Sequence, residues 1–350
     1  MATTLTTPLD ISKAANTVAH IMKQGLVPML YGAPGFGKSS IAQEVADTYN
    51  LLLIDLRLAG MEPVDMNGVL GFNEDKSKGK YIPLDEIPLE GDPIPVNPKT
   101  GKQYAGFLVL LDELTSAADD TKAASYKFIL DKKVGQKHVH KRMWIMAAGN
   151  REDDGAIASS LGTALGSRVV NLTIKENLKY WLKLFTATLD PRIVAFLNYE
   201  PDAFNKFNPD ANEYTHACAR TWSMLSKLIT PLESIEGWEP MIDGTVGVAT
   251  GRSFRTFVTY FSKVVTMEQI LKDPEGARIP TNEPSWMYAL TGVLARGVTE
   301  DNIAKAMTFI ERMPASYQVI SMRSIIARNP KLGGNTEVSG WCERHANELF

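Results

Sequence analysis

Two cysteines in 350 residues, Cys218 and Cys342, argue against a disulfide framework, and their separation gives no metal-ligand spacing. No apolar run reaches membrane length. The amino terminus, Met1 to Asp10, is polar and threonine-rich and lacks the basic-then-apolar pattern of an export signal. A reducing cytoplasm and no membrane insertion are therefore expected. Charge of one sign is also missing. With 40 acidic against 37 basic residues the net charge is −3, so any attraction to nucleic acid or anionic lipid has to be local. Repeats and low-complexity tracts are absent. What remains, 44% hydrophobic and 22% charged residues, is an ordinary globular composition, in a chain long enough for two or three packed units.

One segment carries specific chemistry. Gly32-Ala33-Pro34-Gly35-Phe36-Gly37-Lys38-Ser39, with Ser40 next, follows an apolar run and precedes a helical stretch. The glycines let the backbone wrap a triphosphate with its N–H groups turned inward. Lys38 brings a mobile charge to the outer phosphates, Ser39 offers a hydroxyl to Mg²⁺, and the helix amino end adds its partial positive charge. The loop alone says that a nucleotide binds.

Gly106-Phe107-Leu108-Val109-Leu110-Leu111-Asp112-Glu113 reads as a strand buried on both faces that ends in an acidic pair. Ligands collect at the carboxyl ends of such strands, so Asp112 is expected to hold Mg²⁺ through its water shell, and Glu113 to orient and deprotonate the attacking water. The competing reading of this pair is a helix first turn, which also favours acidic residues. A further apolar strand ends at Gly149-Asn150, where Asn150 would hold the lytic water or sense the γ-phosphate, unless it is a simple turn residue. Arg168 precedes a short apolar strand and Arg220 opens an amphipathic helix; alone, each reads as a solvated surface charge.

Strands near 27–31, 51–56, 107–111, 143–148 and 169–172 alternate with helical stretches, and predict a parallel three-layer α/β core. Residues 1–25 read as a leading helix. Between Gly60 and Gly106 the density of proline and glycine predicts an inserted hairpin plus a long loop. From Glu176 onward the pattern is helical, with helices expected at 221–229, 253–265, 286–296, 302–313 and 317–327. A basic cluster (Lys132, Lys133, Lys137, Lys141 and Arg142, with His138 and His140) reads as a solvated turn or as a local site for nucleic acid or an acidic peptide. No third ligand accompanies the two histidines, so no metal is expected there.

The order of these motifs resembles an AAA+ ATPase. More narrowly, Arg57-Leu58-Ala59-Gly60-Met61-Glu62-Pro63-Val64-Asp65-Met66-Asn67-Gly68 followed by Tyr81-Ile82-Pro83 is similar to the helix-2 insert of the MoxR-like branch, and Arg220-Thr221-Trp222-Ser223-Met224-Leu225-Ser226-Lys227 to its lid motif. The likeness covers most of residues 20–230 and fades afterwards. It implies a P-loop AAA+ core over 1–173 with about five parallel strands and an insert at about 57–105, a helical lid over 174–230 and a helical extension over 231–350. It also implies ATP and Mg²⁺ as ligands, Asn150 as sensor 1, Arg168 as a finger reaching a neighbour's site, and Arg220 as sensor 2. Arg151 competes with Arg168 for the finger. A shared pocket implies a homo-oligomeric ring, usually a hexamer. Inserts in this branch tend to line a pore or face a partner, which makes Phe72 and Tyr81 candidate pore aromatics, with a passive surface excursion as the alternative, and the partner is commonly a von Willebrand factor A domain protein. The expected activity is ATP hydrolysis that remodels a partner protein. A nucleic-acid motor or loader, motivated by the basic cluster, is the first alternative. The second is a nucleotide-gated scaffold with little turnover, against which Asp112, Glu113 and Arg168 together speak.

Overall fold

The computed structural model describes residues 7–154, 158–211 and 213–345. The chain packs as two compact units, 1–177 with 208–211, and 178–207 with 212–350.

Among the described residues the first unit is built on ten strands: β1 (Leu9–Asp10), β2 (Pro28–Tyr31), β3 (Leu51–Arg57), β4 (Val69–Phe72), β5 (Gly79–Ile82), β6 (Gly106–Asp112), β7 (Lys133–Val134), β8 (Lys137–His138), β9 (Met143–Gly149) and β10 (Val170–Lys175). Six of them form a parallel sheet in the order β1-β10-β2-β9-β6-β3. Its helices are α1 (Ile11–Lys23), α2 (Lys38–Thr48), α3 (Pro63–Asn67), α4 (Asp119–Asp131) and α5 (Gly162–Gly166).

Alternation along β6 shows why the central strands read as unbroken apolar runs. Phe107, Val109 and Leu111 enter one core with Phe128 and Ile129 of α4, while Leu108 and Leu110 enter the opposite core with Val18 of α1 and Ile41 and Val45 of α2. Both faces of the sheet are covered, so every position of the strand is selected for apolarity. This is the three-layer α/β architecture expected, with one short strand more than the five anticipated.

Three local expectations are corrected. The leading helix starts only at Ile11, because Asp10 caps it by accepting the Ser12 N–H at 2.9 Å, and the chain before it pairs with β10. The part of that expectation on residues 1–6 lies outside the described residues. The last core strand runs from Val170 to Lys175 rather than over 169–172, because β1 and β2 together pair it along its length. The helix expected over 253–265 runs from Val248 to Val258 and tightens into a 3₁₀ turn over Thr259–Ser262, where Thr259 and Ser262 hydroxyls donate to the carbonyls of Thr256 and Thr259, both at 2.7 Å.

The insert takes the expected form. β4 and β5 make an antiparallel hairpin that leaves Phe72 69% and Tyr81 45% exposed, and a proline-rich segment with little regular structure runs from it to β6. β7 and β8 form a two-residue hairpin in the basic cluster, where Lys141 pairs with Glu90 at 2.8 Å.

The second unit is helical: α6 (Leu178–Phe185), α7 (Pro191–Tyr199), α8 (Ala219–Ile229), α9 (Glu239–Val246), α10 (Val248–Val258), α11 (Met267–Lys272), α12 (Pro284–Gly297), α13 (Ile303–Ile310), α14 (Ala315–Arg328) and α15 (Thr336–Arg344). A single core runs through it, from Trp181 and Phe196 to Trp341. Among the described residues no helix is long and apolar enough to cross a membrane.

Candidate functional site

A parallel sheet puts all its carboxyl ends on one edge, and the strand order decides which ends are neighbours. β2 lies between β10 and β9, and β9 lies between β2 and β6. The loop after β2, Asn150 after β9 and the acidic end of β6 therefore meet, although they are far apart in sequence.

The loop itself owes its shape to Gly35 and Gly37, with φ of +86° and +76°. Gly37 is also the amino cap of α2, and a Cβ there would sit 3.1 Å from Ile11 Cδ1, so both backbone conformation and space favour glycine. The ladder of α2 begins with Ile41 N–H donating to the Gly37 carbonyl at 3.0 Å. The amino end of a helix is where backbone N–H groups can turn toward an anion, and this one opens directly onto the loop.

Lys38 is 9% exposed and folds back over the loop. Its Nζ donates to the carbonyls of Gly32 (2.6 Å) and Ala33 (3.2 Å) and to Asn150 Oδ1 (3.0 Å). Ser39 Oγ donates to Asp112 Oδ2 at 2.9 Å. A hydroxyl and a carboxylate held together in this way are hard oxygen donors of the kind Mg²⁺ accepts while keeping several waters. The residues present thus fit a magnesium–nucleotide.

Asp112 is the last residue of β6, and its Oδ1 accepts the Glu113 N–H at 2.9 Å. Glu113 does not begin an α-helix. It stands in the left-handed region at φ 56°, ψ 28°, followed by a 3₁₀ turn over Leu114–Ser116. A non-glycine residue held there stores strain of the kind found at functional positions. Asp55, on neighbouring β3, feels the same charges. Its carboxyl is raised above the usual value, by burial first and then by the Asp112 charge, with Glu113 adding a smaller push against the pull of Arg57. On β2, burial and, secondarily, Glu152 push the Tyr31 phenol up to about 12.

Thr115 is a site residue that reading the sequence missed. It is 3% exposed, and its Oγ1 accepts the Asn150 N–H at 3.0 Å. Gly149 makes this approach possible, since a Cβ there would fall 2.4 Å from Thr115 Oγ1. The turn after β6 and the end of β9 are so locked together. Only the adjacency of the two strands reveals the pairing.

The arginines separate clearly. Arg151 is tied down within its own chain: its backbone N–H, Nε and Nη2 donate to Asp154 at 2.8, 2.9 and 2.6 Å, and the Asp154 side chain is 1% exposed. Arg168 is exposed, with Nη1 donating to the Ala164 carbonyl at 2.6 Å. Arg220 is exposed on the first turn of α8 and belongs to the second unit.

No protein-family model matches the chain, and no curated protein matches it. Among solved structures it is similar to a candidate ATPase from Cytophaga hutchinsonii ATCC 33406, with a TM-score of 0.33 and 12% identity over 97% of this chain and 93% of that one. It is also similar to NtrX from Brucella abortus, with a TM-score of 0.33 and 13% identity over 98% of this chain and 67% of that one. Likeness at this distance says nothing about what the chain does.

Proposed function

We propose that the chain is a Mg²⁺-dependent ATPase of the MoxR-like AAA+ type, which works as a ring and remodels a partner protein. The observation that carries the hydrolytic part is the convergence at the sheet edge: Ser39 on Asp112 at 2.9 Å, and Lys38 on Asn150 at 3.0 Å. In this reading the amides of the phosphate loop and the first turn of α2 bind the phosphates. Lys38 would transfer its hydrogen bonds from the loop carbonyls to the outer phosphate oxygens, and Ser39 and Asp112 would hold the metal. Bound magnesium supplies charge neutralisation at the phosphates. Glu113 takes a proton from the attacking water, and Asn150 orients that water.

The finger is assigned to Arg168. Moving Arg151 toward a neighbouring subunit would strand the buried carboxylate of Asp154, whereas Arg168 gives up one exposed hydrogen bond to a carbonyl. Hydrolysis would then shift contacts made by Asn150, Arg168 and Arg220, and this change in affinity would move the lid and act on the partner.

The test is a mixing experiment. Arg168→Ala should bind ATP but not hydrolyse it, with a loss of about 10³-fold or more, and Lys38→Ala should not bind it. Mixed rings should recover part of the activity, because some interfaces pair an intact loop with an intact finger. If mixed rings form and no activity returns, the shared pocket is wrong.

A further inference from the structure

Lys122 is a buried lysine with no part in the site described so far. It lies on the first turn of α4 and is 3% exposed. The carboxylate paired with it, Asp119, stands 3.5 Å away with its own side chain 95% exposed, whereas the Lys122 side chain is 4% exposed. Such a pairing is weak, because water screens one partner while the other has been stripped of its hydration. Around it the same helix buries Thr121, Ser125, Phe128 and Ile129, so an apolar side chain would suit the position better than an ammonium.

The reason for the charge lies in what it holds. Lys122 Nζ donates to Ser159 Oγ. The backbone N–H of Ser159 donates to the carbonyl of Thr115 at 2.8 Å. Thr115 Oγ1 accepts the Asn150 N–H at 3.0 Å, and Asn150 Oδ1 accepts from Lys38 at 3.0 Å. Each link joins a different stretch of chain, so a continuous run of hydrogen bonds leads from α4 to the phosphate loop.

We propose that Lys122 is a positioning residue for hydrolysis: its ammonium pins Ser159 onto Thr115, and Thr115 thereby holds the Asn150 carboxamide where it meets Lys38. The inference rests on the ATPase reading above. An amide that must orient a water tolerates little displacement, and losing its support is felt in turnover more than in binding.

The test compares turnover and ATP affinity in the full chain. Lys122→Met should lower kcat about 10- to 100-fold while nucleotide affinity changes less than about threefold. Combined with Asn150→Ala, it should make the enzyme no slower than Asn150→Ala alone, because both act through one group. Lys127→Met is the control. Lys127 sits on the same helix and donates to the Gly135 carbonyl, away from this run of bonds, so its loss should leave turnover at the parental level. Where circular dichroism shows Lys122→Met unfolded, Ser159→Ala cuts the same link and should give the same kinetic pattern. Parental turnover in the folded variant, or effects of Lys122→Met and Asn150→Ala that multiply, would overturn the inference and leave the ATPase reading standing. An inactive parent chain would overturn both.

Discussion

Glu113 offers a way to separate backbone strain from catalysis at a single position. Its φ of 56° and ψ of 28° cost an L-residue about 1–2 kcal/mol relative to right-handed backbone. Glycine escapes that cost but gives up about 0.5–1 kcal/mol to the freedom of its unfolded chain. Glu113→Ala keeps the strain and loses the carboxylate, and Glu113→Gly loses both. The difference between these two variants therefore isolates the backbone, and should leave the glycine variant about 1 kcal/mol more stable than the alanine variant, or about 2–4 °C in Tm for a unit of this size. Urea denaturation without nucleotide or magnesium, followed by a probe in the first unit, measures it. Turnover should fall about 100-fold or more in both variants and in Glu113→Gln, because all three remove the proposed base. A glycine variant about 0.5–1 kcal/mol less stable than the alanine variant would show that the left-handed backbone carries no strain, because only the entropy cost of glycine would then remain. One that still hydrolyses ATP at the parental rate would remove the base assignment.

Thr115→Val should cost about 1–3 kcal/mol, because it leaves the Asn150 N–H without its acceptor in a site where Thr115 is 3% exposed. It should also lower turnover, with Thr115→Ser restoring both; a valine variant as stable and active as the parent would refute the clamp. Asp55→Asn should stabilise the nucleotide-free protein at pH 7. The carboxyl is raised above its ordinary 3.8, so the native state loses stability as pH rises from 3.8 through the raised value, and the gain from asparagine should shrink as pH is lowered toward 3.8. A gain that is absent or independent of pH would contradict this. A chain ending at Thr230 should leave its residues beyond 177 unfolded, since Phe196 loses Phe254 and Phe257 at 5.4 and 5.5 Å, and Trp222 loses Phe254 at 5.9 Å. Heteronuclear NMR showing dispersed signals from 178–230 would refute it.

Most of the first unit was legible because its signals are local. The run from Phe107 to Leu111 has to be buried on two faces, and the glycines and lysine of residues 32–39 have one strong joint interpretation. Strand ends were less legible. Val170–Lys175 is extended by pairing with β1 and β2, and no local property of Thr173 or Lys175 announces that. Helix ends failed for a similar reason, as hydroxyls at Thr259 and Ser262 compete for carbonyls that a longer helix would have used.

The chemistry of the site divides along the same line. Lys38, Ser39 and Asp112 belong to motifs and reveal themselves by type and spacing, whereas Asn150 reads equally as a turn residue until the resemblance singles it out. Thr115 and Lys122 act through partners 35 and 37 residues away, Gly149 makes room for the first of these contacts, and what all three contribute depends on which strands are neighbours. The sequence reading named the parallel strands but not their order. With β9 between β2 and β6, Thr115 can hold Asn150 while Asn150 accepts from Lys38; exchange β9 with another strand and the same residues would be ordinary turn polar groups. Residues proposed to touch the reacting atoms are thus constrained by chemistry and are the more readable ones. Those that position them are constrained by topology, and they become visible once the sheet is assembled.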